Sequence, residues 1–222
     1  MHSLWRKGQL PPRGKSRIHT LTSCESMSSE APQTTLGFRV KSGWATAILL
    51  SGPAACPRVL DRRSIDLSDA EAPASRQPYH AVMEAAPKDA AKIEGRLCKV
   101  VHDATEKSIR LLLADVAKAG HQPQAGGLVV GSNIDPARIK NDHIRAHALE
   151  GQLFRSALED ALTSHGLKTL VIVEREAYAK AATHLDRPEG ELKRAVAELG
   201  RTFGGQWRSD EKTAALAAWM VL

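Results

Sequence analysis

The sequence predicts an α/β protein in three layers, a mixed sheet flanked by helices. Three observations carry that prediction. Residues 35–67 read as strands joined by short turns, with no helical period. From Lys88 to Lys118 the apolar residues shift to three-four spacing. Two short apolar runs, Leu128–Val130 and Leu170–Val173, then alternate with helical segments, as buried parallel strands do.

The elements follow in order. Thr35–Lys41 and Trp44–Leu50 are two strands closed by a tight Ser42-Gly43 turn, a hairpin. In Arg58–Leu67 the residues Val59, Asp61, Arg63, Ile65 and Leu67 share one face with poor alternation, which suits an edge strand. Residues 69–87, rich in Pro and Ala, read as a connection. In the helix of residues 88–118, Ile93, Leu97, Val100, Val101, Leu111, Leu112 and Val116 form the inward stripe, and Gly120 ends it. After Leu128–Val130 comes a polar loop, residues 131–142, and then an amphipathic helix from His143 to His165. The strand that closes on Val173 leads to short helices at Ala177–His184 and Glu189–Leu199. The glycine-rich stretch "GRTFGGQWRSD" precedes a last, Ala-rich helix from Asp210 to Leu222, capped by Ser209 or Asp210. The order is β-β-β-α-β-α-β-α, extended by a further helix.

Composition narrows the classes. The chain of 222 residues suits one domain, or one domain with a tail. Its net charge is +6, of which residues 1–30 hold half, so the excess is mild and compatible with polyanion binding rather than histone-like. Cys24, Cys56 and Cys98 are far apart and form no C-x-x-C pair, which argues against a disulfide framework and suits a reducing cytoplasm. No apolar run approaches the ~20 residues of a membrane span. Residues 1–33, with Pro11-Pro12 and no hydrophobic period, read as a disordered tail before a domain at residues 34–222. Either Met27 is the true start, or the tail is a basic arm that touches nucleic acid or lipid.

The element order resembles the ribonuclease H-like superfamily, in particular its Holliday-junction-resolvase (RuvC-type) branch and, more distantly, actin-like ATPase half-domains. Gly37-Phe38-Arg39, the turn, and Gly43-Trp44-Ala45 carry the local match, together with Asp210 opening "DEKTAALAAW". The resemblance implies a first catalytic aspartate where Arg39 stands and an acid near the start of the last helix, which Asp210 supplies. A two-metal nuclease clamps its cations between carboxylates. A guanidinium there repels metals and keeps its proton. The strand expected to end in a second acid reads Val130-Gly131-Ser132-Asn133 instead. The ordinary two-metal nuclease is therefore disfavoured. The ordinary actin-like ATPase is too, since its first phosphate loop carries the same Asp and this sequence has no second Asp-x-Gly loop after a strand.

Several constellations remain as candidates. Arg39, Lys41 and Ser42 would meet a phosphate in a positively charged cleft, unless the turn is simply a hairpin with Gly43 chosen for positive φ. Trp207, Arg208 and Lys212 would add stacking and phosphate contacts; otherwise Trp207 plugs the core and Asp210 caps the helix. Glu174 and Glu176 end the strongest strand on one side of it, where open sheets bind ligands. His143, His147 and Glu150 share one face of a helix at i, i+4 and i+7, but "HIRAH" lacks the protease Glu; this is a weak metal site or a cleft-lining helix start. The other histidines, His80 among them, read as surface or packing residues, and Cys98 as packing. No Walker A loop, G-x-G-x-x-G or G-x-S-x-G occurs.

Three functions follow as expectations. The first is a ribonuclease H-like domain that binds nucleic acid or a nucleotide without the ordinary two-metal site. The second is a divergent nuclease or phosphohydrolase in which Glu174, Glu176 and Asp210 hold a metal such as Mg²⁺ and Arg39 stabilises the transition state. The third is a non-catalytic interaction module.

Overall fold

The computed structural model describes residues 33–222. The expected tail and Met27 lie outside the described residues. Five strands form one sheet in the order β3-β2-β1-β4-β5. They are β1 (Thr34–Lys41), β2 (Trp44–Ser51), β3 (Arg58–Asp66), β4 (Ala125–Val130) and β5 (Lys168–Val173). β2 runs antiparallel to both β1 and β3, while β4 is parallel to β1 and β5 to β4. This is the mixed sheet that the element order predicts, with β3 as the expected edge.

Helices cover both faces. α2 (Pro87–Lys118) and α3 (Asp142–Ser164) pack on one; α4 (Ala177–His184), α5 (Glu189–Phe203) and α6 (Ser209–Trp219) pack on the other. The strict two-residue period of β1 sorts its side chains between these layers. Leu36, Phe38 and Val40 enter the α2/α3 core, and Thr35, Gly37 and Arg39 face α6. Both faces being covered explains why β1 is buried almost throughout, with Thr34, Thr35 and Arg39 included.

The segment expected to be a plain connection, residues 69–87, contains a helical turn, Pro73–Arg76, and a short helix, α1 (Pro78–Met83). Pro78 occupies the first turn of α1, where its missing N–H costs nothing. The last helix also starts one residue earlier than expected and is capped differently. Glu211 accepts a hydrogen bond from the Arg208 N–H at 2.9 Å, so Arg208 is the cap residue.

α6 is buried from Thr213 to Trp219 without a polar face, because it lies between the sheet and α4/α5. It sits unusually close to the strands. A Cβ on Gly37 would come within 1.9 Å of the Ala214 carbonyl oxygen, and one on Gly127 within 2.2 Å of that of Ala217. The Thr35 hydroxyl donates to the Ala218 carbonyl at 2.8 Å. Steps of four along α6 and of two along β1 both advance about 6–7 Å. The two elements therefore stay in register: Thr35 at Ala218, Gly37 at Ala214, and Arg39 at Asp210.

Candidate functional site

That register brings four charged groups to the carboxyl-terminal edge of the sheet. Arg39, only 4% exposed, directs Nε and Nη2 at the two carboxylate oxygens of Glu174, at 3.2 and 2.5 Å. Its Nη1 donates to the Val40 carbonyl at 2.7 Å. Asp210, from the first turn of α6, places Oδ1 3.9 Å from Arg39 Nε and 3.2 Å from Lys41 Nζ. Two cations thus face two carboxylates. The fork of the guanidinium matches the carboxylate geometry, which is why an arginine can be held here with so little exposure.

The arrangement changes several expectations. The cleft is not an unbalanced positive surface, because Glu174 and Asp210 take up the charges of Arg39 and Lys41. Glu174 and Glu176 do not share a side. The strand ends at Val173 and Glu174–Glu176 form a helical turn, so the alternation that aligned them stops. Glu176 turns to Lys180 at 3.0 Å and to Arg175 at 3.5 Å. The hydrogen bond from Lys180 holds its carboxyl below the usual range. A metal cradle of Glu174, Glu176 and Asp210 is therefore not assembled, and Arg39 lies between the two acids that do converge.

The hairpin tip is tied down from above. Gly43, at φ +84°, closes the turn, and its carbonyl accepts from the Leu67 N–H at 2.9 Å and the Ser68 hydroxyl at 3.1 Å. Ser42 and Lys41 remain half-buried and line a cavity of about 300 Å³ with Arg39, Ser132 and His147.

Trp207 is not a free stacking platform. Its indole lies against Gly200, where an added Cβ would fall 2.0 Å from the ring, and its Nε1 donates to the Val196 carbonyl at 2.8 Å. It anchors the loop before α6, and that anchoring leaves Arg208 exposed. Arg208 and Lys212, one helical turn apart, have no carboxylate partner among the described residues. A groove of about 430 Å³ runs beside Arg208, with Trp44, Thr46 and Ser64 along the sheet, Arg62 and Arg208 at its rim, and Asp210 and Glu211 from the start of α6. Thr46 and Ser64 continue the row of Arg39 across the strands, so the groove adjoins the ion-pair cluster.

A second cluster lies on the other side of the 300 Å³ cavity. His143 and His147 open α3 as expected, but His80 of α1 joins them. Glu150 is fully buried and faces His80 Nδ1 at 2.7 Å. Sequence reading missed His80 because α1 was hidden in a Pro-rich connection and lies 63 residues from His143.

No protein-family model matches the chain, and no curated protein matches its sequence. Among solved structures, RuvC of Thermus thermophilus is similar over 85% of this chain and 92% of its own, at 12% identity and a TM-score of 0.49. RuvC of the same organism in complex with a Holliday junction substrate covers 85% and 91%, at 9% identity and a TM-score of 0.49. A ROK hexokinase from Thermus thermophilus matches 68% of this chain but 39% of its own, at 18% identity and a TM-score of 0.34. Among the described residues no helix is long and apolar enough to cross a membrane.

Proposed function

We propose that this chain binds a nucleic acid or nucleotide through its phosphates at the carboxyl-terminal edge of the sheet, without the ordinary two-metal nuclease site. The observation that carries the proposal is the division of labour among the cations. Arg39 is committed to Glu174 and Asp210, where a metal would otherwise be clamped. Arg208 and Lys212 stand uncommitted at the start of α6, and Arg208 lines a hydroxyl-floored groove together with Arg62. Uncommitted cations release counterions from a phosphate backbone; committed ones do not. The carboxyl ends of strands in an open sheet are also where ligands of such folds sit.

Fluorescence anisotropy with single- and double-stranded DNA and RNA tests this. Two phosphate contacts, from Arg208 and Lys212, give a slope of about −1.4 to −1.8 in log K against log salt. Arg208→Glu and Lys212→Glu should each weaken binding several-fold. Binding that ignores salt, or none at micromolar protein, would end the proposal.

A second reading, a divergent metal-dependent phosphohydrolase, draws on the convergence of Glu174 and Asp210 from two elements on one point. It requires nuclease or nucleotidase turnover with Mg²⁺ or Mn²⁺ that Asp210→Asn abolishes.

A further inference from the structure

We propose that His80, His143 and His147 form a binding site for one zinc-type divalent ion, oriented by the buried carboxylate of Glu150. The site lies on the wall of the cavity beyond Arg39 and is independent of the phosphate-binding reading above.

The ligand geometry comes first. One nitrogen from each of the three imidazoles lies within 4.8 Å of the others. His80 Nε2 and His143 Nδ1 are 3.2 Å apart. Two ligands of a tetrahedral zinc ion at 2.0–2.1 Å are separated by about 3.3 Å, so this pair already has the required spacing. The His147 side chain is half exposed, and a modest rotation of its ring closes the remaining distance. His143 and His147 stand at i and i+4 on the first turns of α3, which puts both rings on one side of the helix. His80 approaches from α1, so the chelate spans two elements.

Glu150 supplies the independent observation. It is 0% exposed and accepts from both the His80 ring Nδ1 at 2.7 Å and the His80 backbone N–H at 3.3 Å. A carboxylate oxygen accepts, so this contact favours the tautomer with the proton on His80 Nδ1. The lone pair of Nε2 is thereby turned toward His143. This carboxylate-to-imidazole arrangement orients metal-ligating histidines and raises their basicity. The second oxygen of Glu150 is buried without a hydrogen bond and lies 3.5 Å from His147 Nδ1. A buried carboxylate with one oxygen left without a hydrogen bond and no cation beside it is costly. A dication bound on the far side of the His80 and His147 rings compensates its charge through both of them.

Imidazole ligands suit zinc, copper, nickel and cobalt(II) rather than magnesium or calcium. Three histidines leave one position for water or an anion. Because His147 also lines the cavity of Arg39, Lys41 and Ser42, that position belongs to the neighbourhood of the cleft.

The test uses the untagged full chain, stripped with chelator and titrated with Zn²⁺ by calorimetry and with Co²⁺ by visible absorption. We expect one equivalent bound, the intense visible bands of low-coordinate cobalt(II), and a rise in melting temperature on adding zinc. His143→Gln and His147→Gln change exposed side chains, so both variants should fold; each should lose binding at least 100-fold. Glu150→Gln keeps all three ligands and should weaken affinity about 10–100-fold. Sub-stoichiometric zinc binding, or affinity unchanged in the His143→Gln/His147→Gln double variant, would overturn the site. Neither result bears on nucleic-acid binding, which is read with Arg208→Glu.

Discussion

Arg39 holds both carboxylate oxygens of Glu174 from a position inside the sheet, with Nε at 3.2 Å and Nη2 at 2.5 Å. Breaking a buried pair costs about 3–5 kcal/mol, and exposed pairs are worth under about 1 kcal/mol. Arg39 is buried while the Glu174 side chain is 41% exposed, so the expectation lies between these limits. Arg39→Met should lower stability by about 2 kcal/mol in urea unfolding. Arg39→Lys should recover only part of this, because an ammonium cannot engage both oxygens as the fork does. In a double-mutant cycle with Glu174→Gln, a coupling near zero would show that the pair is incidental.

Arg39→Asp makes a different and sharper test. It removes the guanidinium that lies between Glu174 and Asp210 and adds a third carboxylate to their meeting point. Three acids with Lys41 as their one remaining counter-charge repel one another, so the variant should be less stable than wild type in metal-free buffer. Oxygen clusters of this kind favour hard cations. Millimolar Mg²⁺ should therefore raise the melting temperature of the variant by several degrees and leave wild type nearly unchanged. Equal responses of the two proteins would remove the idea that Arg39 stands in a metal's place.

Much of the fold was legible because its signals are local. The alternation in residues 35–50, the three-four period of α2 and the apolar runs at β4 and β5 each reflect burial on a regular backbone. Arg39, Lys41 and Asp210 were legible as candidates because charge in an apolar or Ala-rich context stands out. What was not legible depends on distant parts of the chain. Glu174 and Glu176 share a parity that only matters if the strand continues, and it does not. The two readings of Trp207, stacking platform or core plug, turned on Gly200, seven residues earlier on α5, which leaves a slot for its ring. His80 needed α1 to exist and to meet α3.

Cys98 supplies a prediction in pH. Burial pushes its thiol up, the hydrogen bond with Tyr79 pulls the other way, and the charge of Glu94 adds to the rise. The ordinary value for this group is 9.0, so the native thiol should keep its proton beyond pH 9. Any stability this contributes is complete below pH 9 and is lost as the pH rises through the folded value. Alkylation by iodoacetamide at pH 8, followed by peptide mass spectrometry, should be several-fold slower at Cys98 than in the same protein unfolded in urea. A native rate equal to the unfolded one would contradict the assignment.

The last prediction ties the small residues to the charged ones. Gly37 lies under Ala214, and two residues along β1 this same contact places Arg39 at Asp210, one turn earlier on α6. Gly37→Ala must push α6 away, since the new methyl would meet the Ala214 carbonyl oxygen and the Ala218 backbone nitrogen at 1.9 and 2.5 Å, and backbone cannot step aside as a side chain does. Overpacking costs about 1–3 kcal/mol, and here the obstruction is a whole helix, so we expect at least about 3 kcal/mol. Gly126→Ala is the matched control. Its methyl would meet the Leu162 side-chain tip at 3.0 Å and the Phe38 ring at an ordinary 3.6 Å, with no backbone in the way, and a loss near 1 kcal/mol should follow. If Gly37→Ala still folds, the displacement should reach the site: the coupling of Lys41 with Asp210, measured by a double-mutant cycle in that background, should fall toward zero. Retained coupling would mean that the close seating of α6 on β1 does not position Asp210.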